Sequence, residues 1–182
     1  MYRVLPLIIY VILFGAYSSC AQSTDSLIKD IRAKYQTIRS NVKSYDTKSR
    51  DEWDESTEGG QIIGYYKKKD LKLIEGFYFG ETGKLEIEYY FDNGLLFFVF
   101  EKHYTYNRPI YWDEKHMQEN NDTVVYDPRK TKIKLDRYYF HKEKLFRWLD
   151  NEKEVDLSPG TNTHVGQELI TRANKLQDKL KK

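Results

Sequence analysis

Cysteine occurs once in the chain, at Cys20. A lone cysteine forms no internal disulfide, and no CxxC pair is present to hold a metal or carry redox chemistry. A basic excess is also missing: 30 Lys and Arg face 28 Asp and Glu, the signs interleave, and the net charge is +2. Nucleic-acid binders draw affinity from clustered positive charge against phosphates, so no nucleic-acid partner is expected. The four histidines, His103, His116, His141 and His164, do not make the HExxH spacing of a zinc helix, and there is no GxSxG nucleophile elbow. No catalytic residue, metal set or cofactor is therefore assigned. The longest apolar run, residues 4–14, is shorter than the roughly 20 residues that span a bilayer.

What is abundant is aromatic: 16 Tyr, 9 Phe and 3 Trp. These residues favour a pleated, half-buried surface. Tyr buries a large ring while its hydroxyl stays at an edge, so a mean hydropathy of −0.77 is compatible with a real core. The length of 182 residues fits one domain.

Residues 1–21, MYRVLPLIIYVILFGAYSSCA, have the layout of an export signal: one Arg, an apolar run, then small residues. Two processing routes stay open. Ser18-Ser19-Cys20 resembles the end of a bacterial lipobox, in which cleavage precedes a lipidated Cys, although Tyr17 departs from the usual Leu. Ordinary cleavage after Ala21 would instead leave Gln22 first. The otherwise idle Cys20 favours lipid attachment, and with it a periplasmic location held to the envelope membrane through the lipid anchor only.

Residues 22–182 read as a single α+β domain, an antiparallel β-meander of about six to eight strands with an amphipathic helix at each end. The helix at 24–45 carries Ile28, Ile31, Tyr35, Ile38, Val42 and Tyr45 at three- and four-residue spacing, with Thr24 or Asp25 as N-cap and an Asp30–Lys34 pair. The helix at 164–182 carries Val165, Leu169, Ala173, Leu176 and Leu180, with a Glu168–Arg172 pair. The sheet occupies 50–157, with Trp53 in a first edge strand or irregular segment. Its densest part is residues 61–106, four strands joined by three short turns. Residues 84–91 alternate cleanly, and Asp92-Asn93-Gly94 is a hairpin signal. Residues 95–100 are apolar throughout, which predicts a central strand covered on both faces. GETGK at 80–84 resembles a phosphate loop but is too short and leads into a strand, so it reads as a hairpin turn. Both helices are expected on one face, which leaves Tyr and Phe on the other as an aromatic patch.

The long loop at 107–130 holds Arg108, Tyr111 and Trp112. Together with Trp53 they are the candidate ligand contacts, since long loops in compact domains often carry function. Glu52, Asp54, Glu55 and Glu58 form an acidic group without EF-hand spacing. Glu101 and His103 share a strand face and read first as a structural pair.

Several runs resemble a family of exported bacterial proteins of the Bacteroidota, without assigned activity: ESTEGG at 55–60, GETGK at 80–84, YYFDNG at 89–94, YNRPIY at 106–111, DRYYF at 136–140 and KLFRWLD at 144–150. The resemblance covers roughly residues 50–150 and implies no catalytic residue. Asp25-Ser26-Leu27 and Asp122-Thr123-Val124 resemble the D-[ST]-apolar acceptor of Bacteroidota O-glycosylation, which marks Ser26 and Thr123 as candidate sites.

Three functions follow for comparison. The first is a non-catalytic binding module for an envelope protein, peptide or glycan. The second is a small periplasmic hydrolase or metal-dependent enzyme using carboxylates near 52–58 with His103 or His116. The third is a carrier of an apolar ligand inside a curled sheet. An open aromatic face favours the binder, a closed barrel the carrier, and a polar cleft with convergent acids the enzyme. Lipid attachment is tested by metabolic labelling with a fatty acid: the wild type takes up label and Cys20→Ala does not. Equal labelling of the two proteins would rule the anchor out.

Overall fold

Eight strands follow one another through a single open antiparallel sheet whose spatial order is the order of the chain. The computed structural model describes residues 23–53 and 56–181. The segment with Cys20, and Asp54 and Glu55, lie outside the described residues. The strands are β1 (Asp46–Glu52), β2 (Gly60–Lys67), β3 (Asp70–Gly80), β4 (Gly83–Asp92), β5 (Leu95–Thr105), β6 (Lys132–His141), β7 (Lys144–Asp150) and β8 (Lys153–Glu154). Helix α1 (Thr24–Asn41) precedes the sheet, α2 (Glu114–Glu119) interrupts the long loop, and α3 (Pro159–Lys181) ends the described chain. No helix among the described residues is long and apolar enough to cross a membrane.

The architecture is the expected α+β meander, with some boundaries moved. Helix α1 ends at Asn41, and a 3₁₀ turn at Val42–Ser44 carries the apolar stripe on. Its N-cap is Ser23, not Thr24 or Asp25, with extended backbone and a side-chain oxygen that accepts from the Ser26 N–H. Lys34 pairs with Asp30 at 2.9 Å, as its spacing predicted. The sheet begins at Asp46, and Trp53 lies just past the end of β1 with 69% of its surface exposed.

The two end helices lie on opposite faces, and this overturns the expected open aromatic face. Leu169, Ile170, Ala173, Leu176 and Leu180 of α3 pack with Ile62, Ile87, Tyr89, Val99 and Tyr138. Ile28, Ile31 and Ile38 of α1 pack with Leu73, Tyr90, Phe98 and Tyr139. Neighbouring residues such as Tyr89/Tyr90 and Tyr138/Tyr139 thus divide between the two cores, as a pleated strand requires. A stripe on a helix states which side is buried but not against which face of a sheet, so the pattern alone did not decide the side. Nor does the sheet close, so the barrel interior imagined for an apolar ligand does not form among the described residues.

Three register shifts lie along one line across the sheet. Tyr65/Tyr66 face Leu73/Leu71, Tyr90/Phe91 face Phe98/Leu96, and Tyr139/Phe140 face Arg147/Leu145. Lys72, Phe97 and Phe146 are the extra residues, one in every second strand. A bulge adds twist and bends its strand, so three in line coil the sheet across its width. The bulge at Phe97 also puts Phe97 and Phe98 in the same core.

The GETGK segment is a two-residue hairpin, with Gly80 paired to Gly83. A Cβ on Gly83 would stand 2.1 Å from the backbone oxygen of Tyr104 on β5. The glycine therefore serves strand contact and not phosphate binding. Gly83→Ala is expected to destabilise the protein by about 1–3 kcal/mol, as overpacking does. Leu176→Ala, at a fully buried position on α3, is expected to cost about 2–5 kcal/mol. Urea denaturation measures both, and a wild-type midpoint for Gly83→Ala would contradict the close-contact account.

Candidate functional site

The β5–β6 register brings Glu101 directly opposite Asp136. Two residues on, His103 returns to the same face by strand alternation. The three side chains form a cluster in which each offers one ligand atom, all within 4.8 Å of one another. His103 Nε2 lies 3.1 Å from Glu101 Oε2 and 3.9 Å from Asp136 Oδ2. Both carboxylates are buried, Asp136 to 1% exposure, while 43% of the His103 side chain remains open.

Buried carboxylates need partners, because an unpaired charge away from water is costly. Asp136 accepts from Trp148 Nε1 at 2.9 Å through Oδ1 and faces Lys134 Nζ at 3.0 Å through Oδ2. Glu101 accepts from the Tyr138 hydroxyl at 3.2 Å, and Arg172 of α3 stands 3.7 Å from its other oxygen. Tyr138 stacks on Trp148, with ring centroids 5.3 Å apart and planes 27° apart. The hydrogen bond that the His103 imidazole donates to Glu101 holds its pKa above the ordinary histidine value. Burial, followed by the nearby Glu101, pushes the Tyr138 phenol up, so it stays a neutral donor.

This cluster opens into a cleft of about 1,070 Å³ between the first half of α3 and strands β4 to β7. Leu85, Glu101, His103 and Trp148 form part of the sheet side; Gln167 and Arg172 face them from α3. Apolar surface predominates, and polar groups are placed around it, which is the usual make-up of a small-molecule site. At Gly166 the helix comes close to the sheet: an added Cβ would lie 3.0 Å from Leu145 Cβ.

The loop residues singled out from the sequence are not gathered in this way. Arg108 makes a two-pronged contact with Asp122, at 2.7 and 2.9 Å, and Asp122 also accepts from the Thr123 N–H. That pair holds the loop together. Tyr111 and Trp112 do meet, packing against His116 on α2 with centroids at 5.5 and 5.8 Å. They line a shallow hollow to which neither Arg108 nor Trp53 contributes. Trp53 lies against Gly59 at the sheet margin. His116 bonds Asp113, the N-cap of α2. Ser26 is exposed in the first turn of α1, and Thr123 is exposed in the loop.

Of the acidic group at 52–58, the described members Glu52 and Glu58 are not part of the His103 cluster. Glu52 is buried on β1, four strands from His103, and pairs with Lys179 of α3. Glu58 is exposed at the turn into β2. The residues that sequence reasoning missed are Asp136, Tyr138 and Trp148. Alternation could place Glu101 beside His103, but only the β5–β6 register supplies Asp136.

No family model, no curated protein and no solved structure matches the chain. The site therefore rests on its own geometry. Tyr138→Phe removes a buried hydrogen bond to a carboxylate and is expected to cost about 1.5–3 kcal/mol. Tyr111→Phe loses only an exposed 3.3 Å contact to Glu81 and is expected to fall within about 0.5 kcal/mol of wild type. Chemical denaturation of both variants compares the two; equal costs would contradict the structural role given to Tyr138.

Proposed function

We propose that this is an exported, envelope-anchored binding module that takes a glycan in the α3 cleft without transforming it. The observation that carries the reading is the Tyr138–Trp148 stack beside the buried Glu101 and Asp136, in a cleft also lined by Gln167, Arg172 and Lys175. A sugar ring presents C–H faces that pack on an aromatic ring, and hydroxyls that both donate and accept. Carboxylates take its donated protons; amides and cationic side chains serve its lone pairs. Strand aromatics keep their part in this reading, and α3 takes the part expected of the 107–130 loop. Residues 1–21 supply the export reading, and the resemblance to exported Bacteroidota proteins agrees with it.

A second reading, a small hydrolase, draws on a different observation. Two buried acids converge with a half-exposed histidine, an arrangement suited to moving protons. The two readings separate on the fate of the sugar: a binder returns it unchanged.

The test is a glycan array on the purified protein, followed by calorimetric titration of the best oligosaccharide. Trp148→Ala is expected to lower its affinity at least tenfold, and Gln167→Ala several-fold, while Tyr111→Ala leaves it unchanged. A blank array, or binding that depends on Tyr111 and not on Trp148 or Gln167, would refute the proposal. Cleavage of the oligosaccharide would favour the hydrolase.

A further inference from the structure

The geometry points to a site for a zinc-class divalent transition-metal ion, held by Glu101 Oε2, His103 Nε2 and Asp136 Oδ2. This does not rest on the glycan reading, since the ion needs only the side-chain cluster and an entry path.

The ligand set comes first. A tetrahedral ion with bonds of about 2.0–2.1 Å sets its ligand atoms about 3.3 Å apart. The His103 nitrogen stands 3.1 and 3.9 Å from its two carboxylate partners, which brackets that separation. All three ligand atoms lie within 4.8 Å of one another. All three residues project from paired strands, so the backbone fixes their spacing. One nitrogen and two oxygens suit zinc, cobalt or nickel; calcium takes six to eight oxygens, and magnesium keeps most of its water.

The surroundings fit as well. Metal-binding carboxylates are commonly held by hydrogen bonds to their other groups. Trp148 Nε1 holds Asp136 by Oδ1 and leaves Oδ2 toward His103. The Tyr138 hydroxyl donates to Glu101 Oε2, the ligand oxygen itself, and leaves that oxygen's second lone pair for the ion. The ion displaces the proton that His103 Nε2 shares with Glu101 and releases it to solvent; the two carboxylates and the neutral imidazole then carry two negative charges, which the divalent ion cancels. Two cations already face the carboxylates: Arg172 lies 3.7 Å from Glu101 Oε1, the oxygen the ion does not use, and Lys134, the direct competitor, lies 3.0 Å from Asp136 Oδ2. Lys134 is 46% exposed and already 3.6 Å from Asp150, so it has a second carboxylate to move to. Glu101 and His103 both line the cleft, which gives the ion a route in and leaves its fourth position to water or a ligand.

The experiment is calorimetric titration of chelator-treated protein with zinc chloride, and with cobalt chloride followed by visible absorption. One equivalent of zinc is expected to bind and to raise the melting temperature, while magnesium and calcium do neither. His103→Gln is expected to weaken zinc at least a hundredfold, and His116→Gln and His141→Gln to leave it unchanged. Lys134→Ala is expected to tighten it several-fold by removing the competing ammonium. Absence of binding in both wild type and Lys134→Ala overturns the site. So does one-equivalent binding that survives His103→Gln, or binding that is lost with His116→Gln.

Discussion

Where the sheet is covered on both faces, at its centre, it has no outward side on which to put its charges. β5 is where this is strictest. Leu96 and Val99 face the α3 core, Phe97 and Phe98 face the α1 core, and β4 and β6 flank the strand. Polar residues continuing along the same strands are therefore drawn beneath the helices. Glu88, Glu101 and Asp136 are buried for this reason, and Glu52 is buried under the end of α3. Each must be matched by a donor or a cation, since an unmatched buried carboxylate costs several kcal/mol. Helix docking and acid pairing are one problem here. Arg39 of α1 reaches Glu75 at 2.9 Å, and Lys179 and Arg172 of α3 reach Glu52 and Glu101. Each helix combines an apolar stripe with basic residues placed over acids of the sheet.

Local alternation made much of this legible. Leu85, Ile87, Tyr89 and Phe91 share one core face because β4 itself runs unbulged from residue 85 to 91, and the sequence shows that period directly. The Asn93-Gly94 turn was legible too, with φ of 50° and 78° at the two positions. The hairpin at Lys142-Glu143 has φ of 48° and 59° without a glycine. Its turn chemistry is silent, and only the flanking strands announce it. The bulges were hidden for another reason. Phe97 and Phe98 on the bulged β5 are apolar in either phase, so a shift of one residue there leaves no trace in the pattern. The side on which each helix docks is a tertiary choice, made by which face offers room and matching acids.

The site divides in the same way. Glu101 and His103 were visible as neighbours on one face, since that needs only the strand period. Asp136 was not, because β5 and β6 are joined through the long loop, and no local signal fixes register across it. Exposed aromatics drew attention to that loop, but much of its polar content is spent within it. Asn107 bonds the Val125 carbonyl and the Asp127 N–H, Arg108 holds Asp122, and the Tyr126 N–H reaches the Trp112 carbonyl. Loops of this length need such bonds to satisfy their backbone. Here the polar residues act first as loop structure.

The two faces of the sheet pair their buried acids differently. Beneath α1, Glu75 takes Arg39 and the Tyr65 hydroxyl, while Glu88 takes the Tyr90 hydroxyl and lies 3.8 Å from Lys102. Tyr65 and Tyr90 themselves belong to the packed α1 core, so that network is built into the docking of the helix. Beneath α3, Glu101 and Asp136 are held in the same manner by Tyr138, Trp148 and Arg172, but His103 is added at their open side. Its ring does not extend either core, and it stands where the helix and the sheet leave a cleft. A side chain needed only for neutralisation would serve as well from a closed position. His103 instead sets a half-exposed imidazole beside two buried carboxylates where helix and sheet leave a cleft, and the sheet supplies all three from adjacent strands.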